Sequence, residues 1–240
     1  MPRAVRRVVT AAAEYVVGRA GIAVVRALDH DVIGQGRHPR GAAGSVTGWV
    51  FAHRPSNRQR NRWVVSLLGV RPADQVLEIG FGPGLAVAEL ARAGAGHVYG
   101  IDHSAVMLRQ ASRRNAAAVR AGRVTLVRAS VDQLPAAVDG PFDAVLAVNS
   151  LQSWPAPAER LAELRRRLAP GGRIAIASQP RCPGATASTS RSAADEVENL
   201  LRSAGFTQTS TETLPLSPPV TCVLAVAPGP DADASHTPQT

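Results

Sequence analysis

From Gln75 onward, short apolar runs alternate with longer stretches in which apolar residues recur every three or four positions. Gln75–Ile79, His97–Ile101, Val124–Val127, Phe142–Val148 and Arg173–Ala177 are apolar runs of strand length, and they predict β-strands. Between and after them, Leu85–Ala93, Ser104–Ala121, Pro157–Leu168 and Ala193–Ala204 predict helices, the last ended by Gly205. Two late segments, Thr207–Thr213 and Val220–Val226, stand too close together for a crossover helix, so an antiparallel pair is expected at one edge. The alternation predicts an α/β three-layer sandwich: a mostly parallel, seven-stranded sheet with an antiparallel edge strand and helices on both faces.

The chain before Gln75 reads differently. Residues 2–28 predict one or two helices, with Val8, Val9, Val16, Ile22 and Val25 set among small residues and Arg. From Gly34 to Ser56 the text turns to Gly, Arg, His and Pro, which predicts irregular chain. A helix then starts near Ser56-Asn57, runs through Trp63–Leu68 and stops before Pro72. The expected organisation is a basic helical and loop extension over 1–56, acting as a substrate lid or arm, a domain over 57–228, and a Pro/Asp/Ser/Thr tail over 229–240 that is expected to be disordered.

Composition narrows the class. Aromatic residues are 4% of the 240, so the core must be built from Val, Leu, Ile and Ala. All 27 basic residues are Arg, and the accompanying Ala, Gly and Pro richness reads as a GC-rich coding bias, so the net charge of +9 names no partner by itself. Its distribution says more. Residues 1–62 hold eleven Arg against Glu14, Asp29 and Asp31, whereas the rest holds sixteen Arg against fifteen acids. An Arg-rich arm can meet nucleic acid, anionic lipid or an anionic small substrate, and a solvated surface is the default. Cys182 and Cys222 show no CxxC spacing, so neither a disulfide framework nor a metal site is expected, and a reducing cytoplasm fits. Glu14 and Arg19 interrupt the apolar stretch after Arg6-Arg7, which argues against an export signal. No run reaches the ~18 apolar residues of a membrane span. A soluble protein follows, with peripheral contact the one membrane role left.

The chemistry is concentrated after the first strand. Gly80, Gly82 and Gly84 stand where open α/β sheets bind ligands, and the helix from Leu85 aims its N-terminal amides over them. That much would suit any nucleotide. The spacing, however, is G-x-G-x-G and not the G-x-G-x-x-G of dinucleotide sites. Glu78, two residues before the first Gly, suits a ligand with an ammonium and a sulfonium better than an anionic pyrophosphate. Asp102 ends the second strand, placed to accept from both ribose hydroxyls. Together these residues point to S-adenosylmethionine (SAM).

Val76-Leu77-Glu78-Ile79-Gly80-Phe81-Gly82-Pro83-Gly84 resembles the first motif of the class I SAM-dependent methyltransferases, and Tyr99-Gly100-Ile101-Asp102-His103-Ser104 resembles their second. The likeness runs from about Asn57 to Val226 and is closest to bacterial small-molecule methyltransferases, including those of quinone and secondary metabolism. It implies a Rossmann-like fold. It also implies that Gly80, Phe81, Gly82 and Gly84 cradle the methionine end near Glu78, that Asp102 holds the ribose, and that His103 and Met107 flank the adenine. Many relatives end the third strand in Gly-Asp-Ala, where this chain has Ala129-Ser130-Val131, so Ser130 offers the adenine a weaker acceptor. Asn149 and Ser150, opening a segment that continues to Trp154, would border both cofactor and acceptor, and Pro170-Gly171-Gly172-Arg173 matches the turn into the fifth strand.

Methyl transfer from a sulfonium needs alignment first, and a general base only where the nucleophile keeps its proton. His38, His53 and Gln152 are the groups to weigh as a base, although a solvated role is the default for both His. Gln152, Trp154 and His38 are the expected acceptor contacts, under cover of residues 34–60 and 179–191. Arg62 or Asn61 would reach the methionine carboxylate. No Asn/Asp-Pro-Pro-Tyr follows the fourth strand and no Pro-Cys nucleophile is present, which disfavours DNA amino and cytosine C5 chemistry. By elimination the acceptor is a small molecule. Two alternatives stand beside it: an RNA methyltransferase using the Arg-rich arm, and a SAM-binding enzyme of this fold that performs another reaction.

Overall fold

A computed structural model describes residues 54–180 and 182–229. The helices expected within 2–28, the irregular stretch after them, His38, His53 and nearly all of the expected tail lie outside the described residues. The chain from Pro55 folds as α1 (Pro55–Leu68), β1 (Gln75–Ile79), α2 (Leu85–Ala93), β2 (His97–Asp102), α3 (Ala105–Arg114), α4 (Ala116–Arg120), β3 (Val124–Arg128), β4 (Phe142–Val148), α5 (Pro157–Arg167), β5 (Leu168–Ser178), α6 (Ala187–Ser203), β6 (Thr207–Leu214) and β7 (Val220–Val226). The seven strands form one sheet in the order β3-β2-β1-β4-β5-β7-β6. β1 to β5 are parallel, and β7 runs antiparallel between β5 and β6. The antiparallel pair thus lies at one edge, its reversed strand is β7, and β6 is outermost.

In-register pairing turns the strand pattern into two cores. Leu77 lies beside Val145, and Val145 beside Ile174. These join Leu161, Leu164 and Leu201 of α5 and α6 on one face. Val76, Ala144 and Ala175 point the other way, toward Val64, Leu68, Val87 and Leu90 of α1 and α2. Each fully buried large aliphatic side chain adds about 1.5–3 kcal/mol, which makes the two faces the main source of stability.

Three boundaries differ from the sequence expectation, each for a local reason. The single helix expected over Ser104–Ala121 breaks at Asn115, whose side-chain amide donates to the Gly84 carbonyl and so leaves helical register. β5 begins at Leu168, because Leu168 pairs with Phe142 and the Pro-Gly-Gly turn is absorbed as an irregularity within the strand. α6 begins at Ala187: Thr186 and Thr189 form a reciprocal capping box that starts the helix inside a Ser/Thr-rich run.

Candidate active site

β1 is the switch point of the sheet, with the chain crossing to β2 on one side and β4 on the other, and the loop 80–84 rises from its C-terminal end. The Gly80 N–H donates to the Ile101 carbonyl at 2.8 Å. Gly80 has φ +77°, and a Cβ there would stand 2.5 Å from that of Ser150, so only glycine fits. The Ser150 hydroxyl in turn donates to the Ile79 carbonyl at 2.6 Å, fastening the end of β4 beneath the turn. The Phe81 ring is buried against Gly100, where a Cβ would meet it at 2.9 Å. Its side chain is thus a plug between loop and core. Gly82, at φ +51°, faces open space. Its N–H donates to Asp102 Oδ2 at 2.9 Å, while the Ser104 N–H donates to Asp102 Oδ1 at 2.8 Å. Asn115 closes the circuit, its amide donating to both Gly84 and Ala111 carbonyls.

Glu78 lies beneath this loop and is 2% exposed. Its carboxylate accepts the Val87 N–H in the first turn of α2, a helix start that has no side-chain cap of its own. The second oxygen, Oε2, has no hydrogen-bond partner among the described residues. Burial pushes the Glu78 carboxyl well above the ordinary range, and the nearby Asp102 pushes it further, against the Val87 bond. Burial raises Asp102 too, opposed by the Ser104 and Gly82 amides and by His103. Two carboxyls are therefore held close together under one glycine loop, and burial raises both.

On the β4 side, Asn149 has φ +54°. Its Oδ1 accepts the Gln179 N–H at 2.7 Å, and its buried Nδ2 has no hydrogen-bond partner among the described residues. Gln179 accepts from Arg60 Nη1 at 2.7 Å and donates to the Pro218 carbonyl at 2.8 Å. α1, β4, β5 and the β6–β7 connection are thereby joined at the site's edge. Arg60, Asn57, Gln179 and Asn115 were not anticipated. The first two had a readable signal: positions 57, 60, 61, 64, 65 and 68 are the buried stripe of α1, and its first turn is polar. Gln179 and Asn115 had none, since Asn149 and Gly84, which they bind, lie 30 and 31 residues away.

The other expected residues fall into separate environments. His103 is exposed, with Nδ1 3.9 Å from Asp102. Met107 and Val131 are buried, each in the core of a different face of the sheet. The Ser130 hydroxyl hydrogen-bonds to Asp132, which lowers that carboxyl. Gln152 is exposed. Trp154 is 7% exposed within the α5–α6 core, its indole Nε1 buried and without a hydrogen-bond partner among the described residues. Asn61 turns inward and donates to the Asn57 carbonyl. Arg62 points to solvent and pairs with Glu89 at 3.8 Å, which corrects its expected place beside the methionine carboxylate: helical phase puts Arg60, not Arg62, on the buried side. Of the two free thiols, Cys182 is exposed. Burial, with help from Glu212, pushes Cys222 up to about 12, so it stays a protonated core residue.

A glycine loop at the switch point, a buried acid under it and an acid ending the next strand define the class I SAM-binding α/β proteins. The methyltransferase domain family model matches residues 76–172. The uncharacterized methyltransferase YdaC of Bacillus subtilis (strain 168) is 32% identical over 162 residues, covering 67% of this chain and 86% of that protein. The 2-phytyl-1,4-naphtoquinone methyltransferase of Trichormus variabilis is 33% identical over 126 residues, 52% of this chain and about half of that one, 53%. The structure of the N-methyltransferase NodS from Bradyrhizobium japonicum, in complex with S-adenosylhomocysteine, superposes with a TM-score of 0.61 at 19% identity, covering 75% of this chain and 91% of that one, a likeness of fold. The chain belongs to the class I SAM-dependent methyltransferases, enzymes whose methyl donor is SAM.

Proposed function

We propose that the chain methylates a small, lipophilic acceptor, and that residues 78–84, Asp102 and the strand ends around Asn149 hold the donor. The observation that carries the cofactor site is the buried, half-partnered carboxylate of Glu78 beneath an open Gly82. A cationic ligand seated on the loop supplies the charge that this carboxylate lacks. The backbone of Gly80, Phe81, Gly82 and Gly84 cradles the methionine end of that ligand. Asp102 has lone pairs left beside its two amide bonds for the ribose hydroxyls. His103 and Met107 flank the adenine, and Ser130 and the Val131 backbone close its edge. Asn149 and Ser150 frame the sulfonium side.

When bound, SAM supplies a methyl group already activated on sulfonium sulfur. What the chain adds is alignment and exclusion of water. Asn149, pinned through its Oδ1, presents Nδ2 as a fixed donor to an oxygen of the bound molecules. Gln152 is a pocket-rim residue in this reading, and Trp154 shapes the acceptor side from below. The arm over 1–56, with His38 and His53, is the lid in this proposal, and the compartment is the cytoplasm. The lipophilic acceptor is supported by the Trichormus relative, named for a phytyl naphthoquinone, and by the absence of DNA-methylating motifs. The test is calorimetric titration with S-adenosylhomocysteine, followed by transfer of labelled methyl to a panel of quinols, phenols and RNA. Saturable binding with label on a quinol or phenol is expected. Label on RNA alone, or unchanged SAM with another product, overturns the acceptor assignment.

A further inference from the structure

The near-neutral charge of the chain after residue 62 conceals a strong polarity. Residues 103–131, which form α3, α4 and β3 at one edge of the sheet, contain Arg109, Arg113, Arg114, Arg120, Arg123 and Arg128 and no acidic residue. All six are exposed. Elsewhere, six Arg, namely Arg62, Arg92, Arg160, Arg167, Arg173 and Arg202, pair with a carboxylate. None of the six at this edge does so among the described residues. Burial and then the neighbouring Arg58 guanidinium hold Arg114 below the usual arginine range. A second observation falls on the same face. Val119 of α4 is the one exposed large hydrophobic residue among the described residues, 37% exposed and next to Arg120.

We infer that this face docks the enzyme on an anionic bilayer surface, guanidinium groups against lipid phosphates and Val119 toward the acyl boundary. Nucleic acid also offers phosphates, but the face presents no Phe, Tyr or Trp on which a base could stack. A protruding aliphatic group likewise gains nothing from a phosphate backbone. The face adjoins the cofactor loop directly: Arg114 Nε donates to the Pro83 carbonyl at 2.9 Å and Arg128 Nε to the His103 carbonyl at 3.1 Å. A docked bilayer would therefore lie beside the mouth of the site. The inference rests on the lipophilic-acceptor reading for its purpose, not for its test.

The test is co-sedimentation of the full chain with vesicles of phosphatidylcholine alone and of phosphatidylcholine with phosphatidylglycerol, at low and physiological salt. Binding to the anionic vesicles only, weakened by salt, is expected. Because each basic group near an anionic surface changes affinity by about fivefold, the combined Arg109→Glu, Arg113→Glu and Arg120→Glu variant should lose roughly 100-fold or more. Val119→Ser should lose a smaller factor that salt does not alter. Unchanged thermal melting by circular dichroism and unchanged S-adenosylhomocysteine binding verify the fold and site. A parallel triple reversal of Arg3, Arg6 and Arg7 separates this face from the basic arm. No binding to anionic vesicles overturns the inference, as does binding that only the arm variant reduces, or tighter binding to single-stranded or duplex RNA that the face variant abolishes. Failure of the acceptor panel leaves these readouts untouched, so the two proposals fail separately.

Discussion

At the scale of single residues, Glu78 and the loop glycines carry the sharpest expectations. The folded chain keeps a proton on Glu78 at pH values where the unfolded chain has lost it. Its contribution to stability is therefore full below the ordinary glutamate range and is lost as pH rises from there through the raised folded value. Within that window the loss is about 1.4 kcal/mol per pH unit, equivalent to ~2–4 °C in melting temperature for each kcal/mol. Glu78→Gln removes this slope, so the difference between wild-type and variant melting temperatures should change in the variant's favour as pH rises. A pH-independent difference would contradict the assignment. A cationic ligand favours ionised Glu78, so S-adenosylhomocysteine, with its ammonium group, should bind more weakly as pH falls through the same window. Titration in buffers of different ionisation heat should register proton release, and Glu78→Gln should abolish it.

Gly80 and Gly82 separate packing from binding. Gly80→Ala meets Ser150 as well as a disfavoured φ, so it should cost about 3 kcal/mol or more in denaturant unfolding. Gly82→Ala faces open space and should cost only about 1–2 kcal/mol, while its methyl group enters the ligand's place and S-adenosylhomocysteine affinity falls at least tenfold. Equal stability losses in the two variants would be inconsistent with the loop geometry. The glycine spacing was legible because the loop is contiguous in sequence. The clamp of Ser150 beneath Gly80 was not, since 71 residues separate Ser150 from the Ile79 carbonyl it binds.

At the scale of elements, the break between α3 and α4 shows how a tertiary bond can override helical continuity. The run Ala116-Ala117-Ala118 favours an uninterrupted helix, yet Asn115 spends its amide on the carbonyl of Gly84. Asn115→Ala should restore helical preference locally but release the loop from α3. The net expectation is a loss of about 1–3 kcal/mol with weaker S-adenosylhomocysteine binding, read by calorimetry and unfolding. A more stable variant with unaltered binding would show that the bond does not hold the site. α6 presents the converse case: its capping box is a sequence signal, Thr186-x-x-Thr189, hidden by a Ser/Thr-rich run that resembles loop. Thr186→Ala should destabilise by ~1 kcal/mol and fray the first turn of α6 without touching the glycine loop.

For the whole molecule, strand order decides what is protected. β1, β4 and β5 are covered on both faces, whereas β6 is an edge strand with mostly exposed side chains. In hydrogen exchange, amides of the central strands should open only with global unfolding, while the unpaired-edge amides of β6 exchange fastest among the strands. Protection of β6 equal to that of β4 would require a partner along that edge. The same scale holds the charge polarity: counted along the chain the domain is nearly neutral, but in space six exposed Arg, without a carboxylate partner among the described residues, share the β3 edge.

By itself the sequence determined the element types, their order and the family, and it placed a glycine loop directly after β1. Strand and helix periodicities, and a turn made of adjacent residues, are local properties that a linear reading captures. Tertiary structure alone decided the rest: that Asn149 is pinned by Gln179, that Glu78 caps α2 with one oxygen left over, and that the basic residues of α3, α4 and β3 share an edge. These depend on which strand lies beside which, and that order is set by packing between segments far apart in the chain.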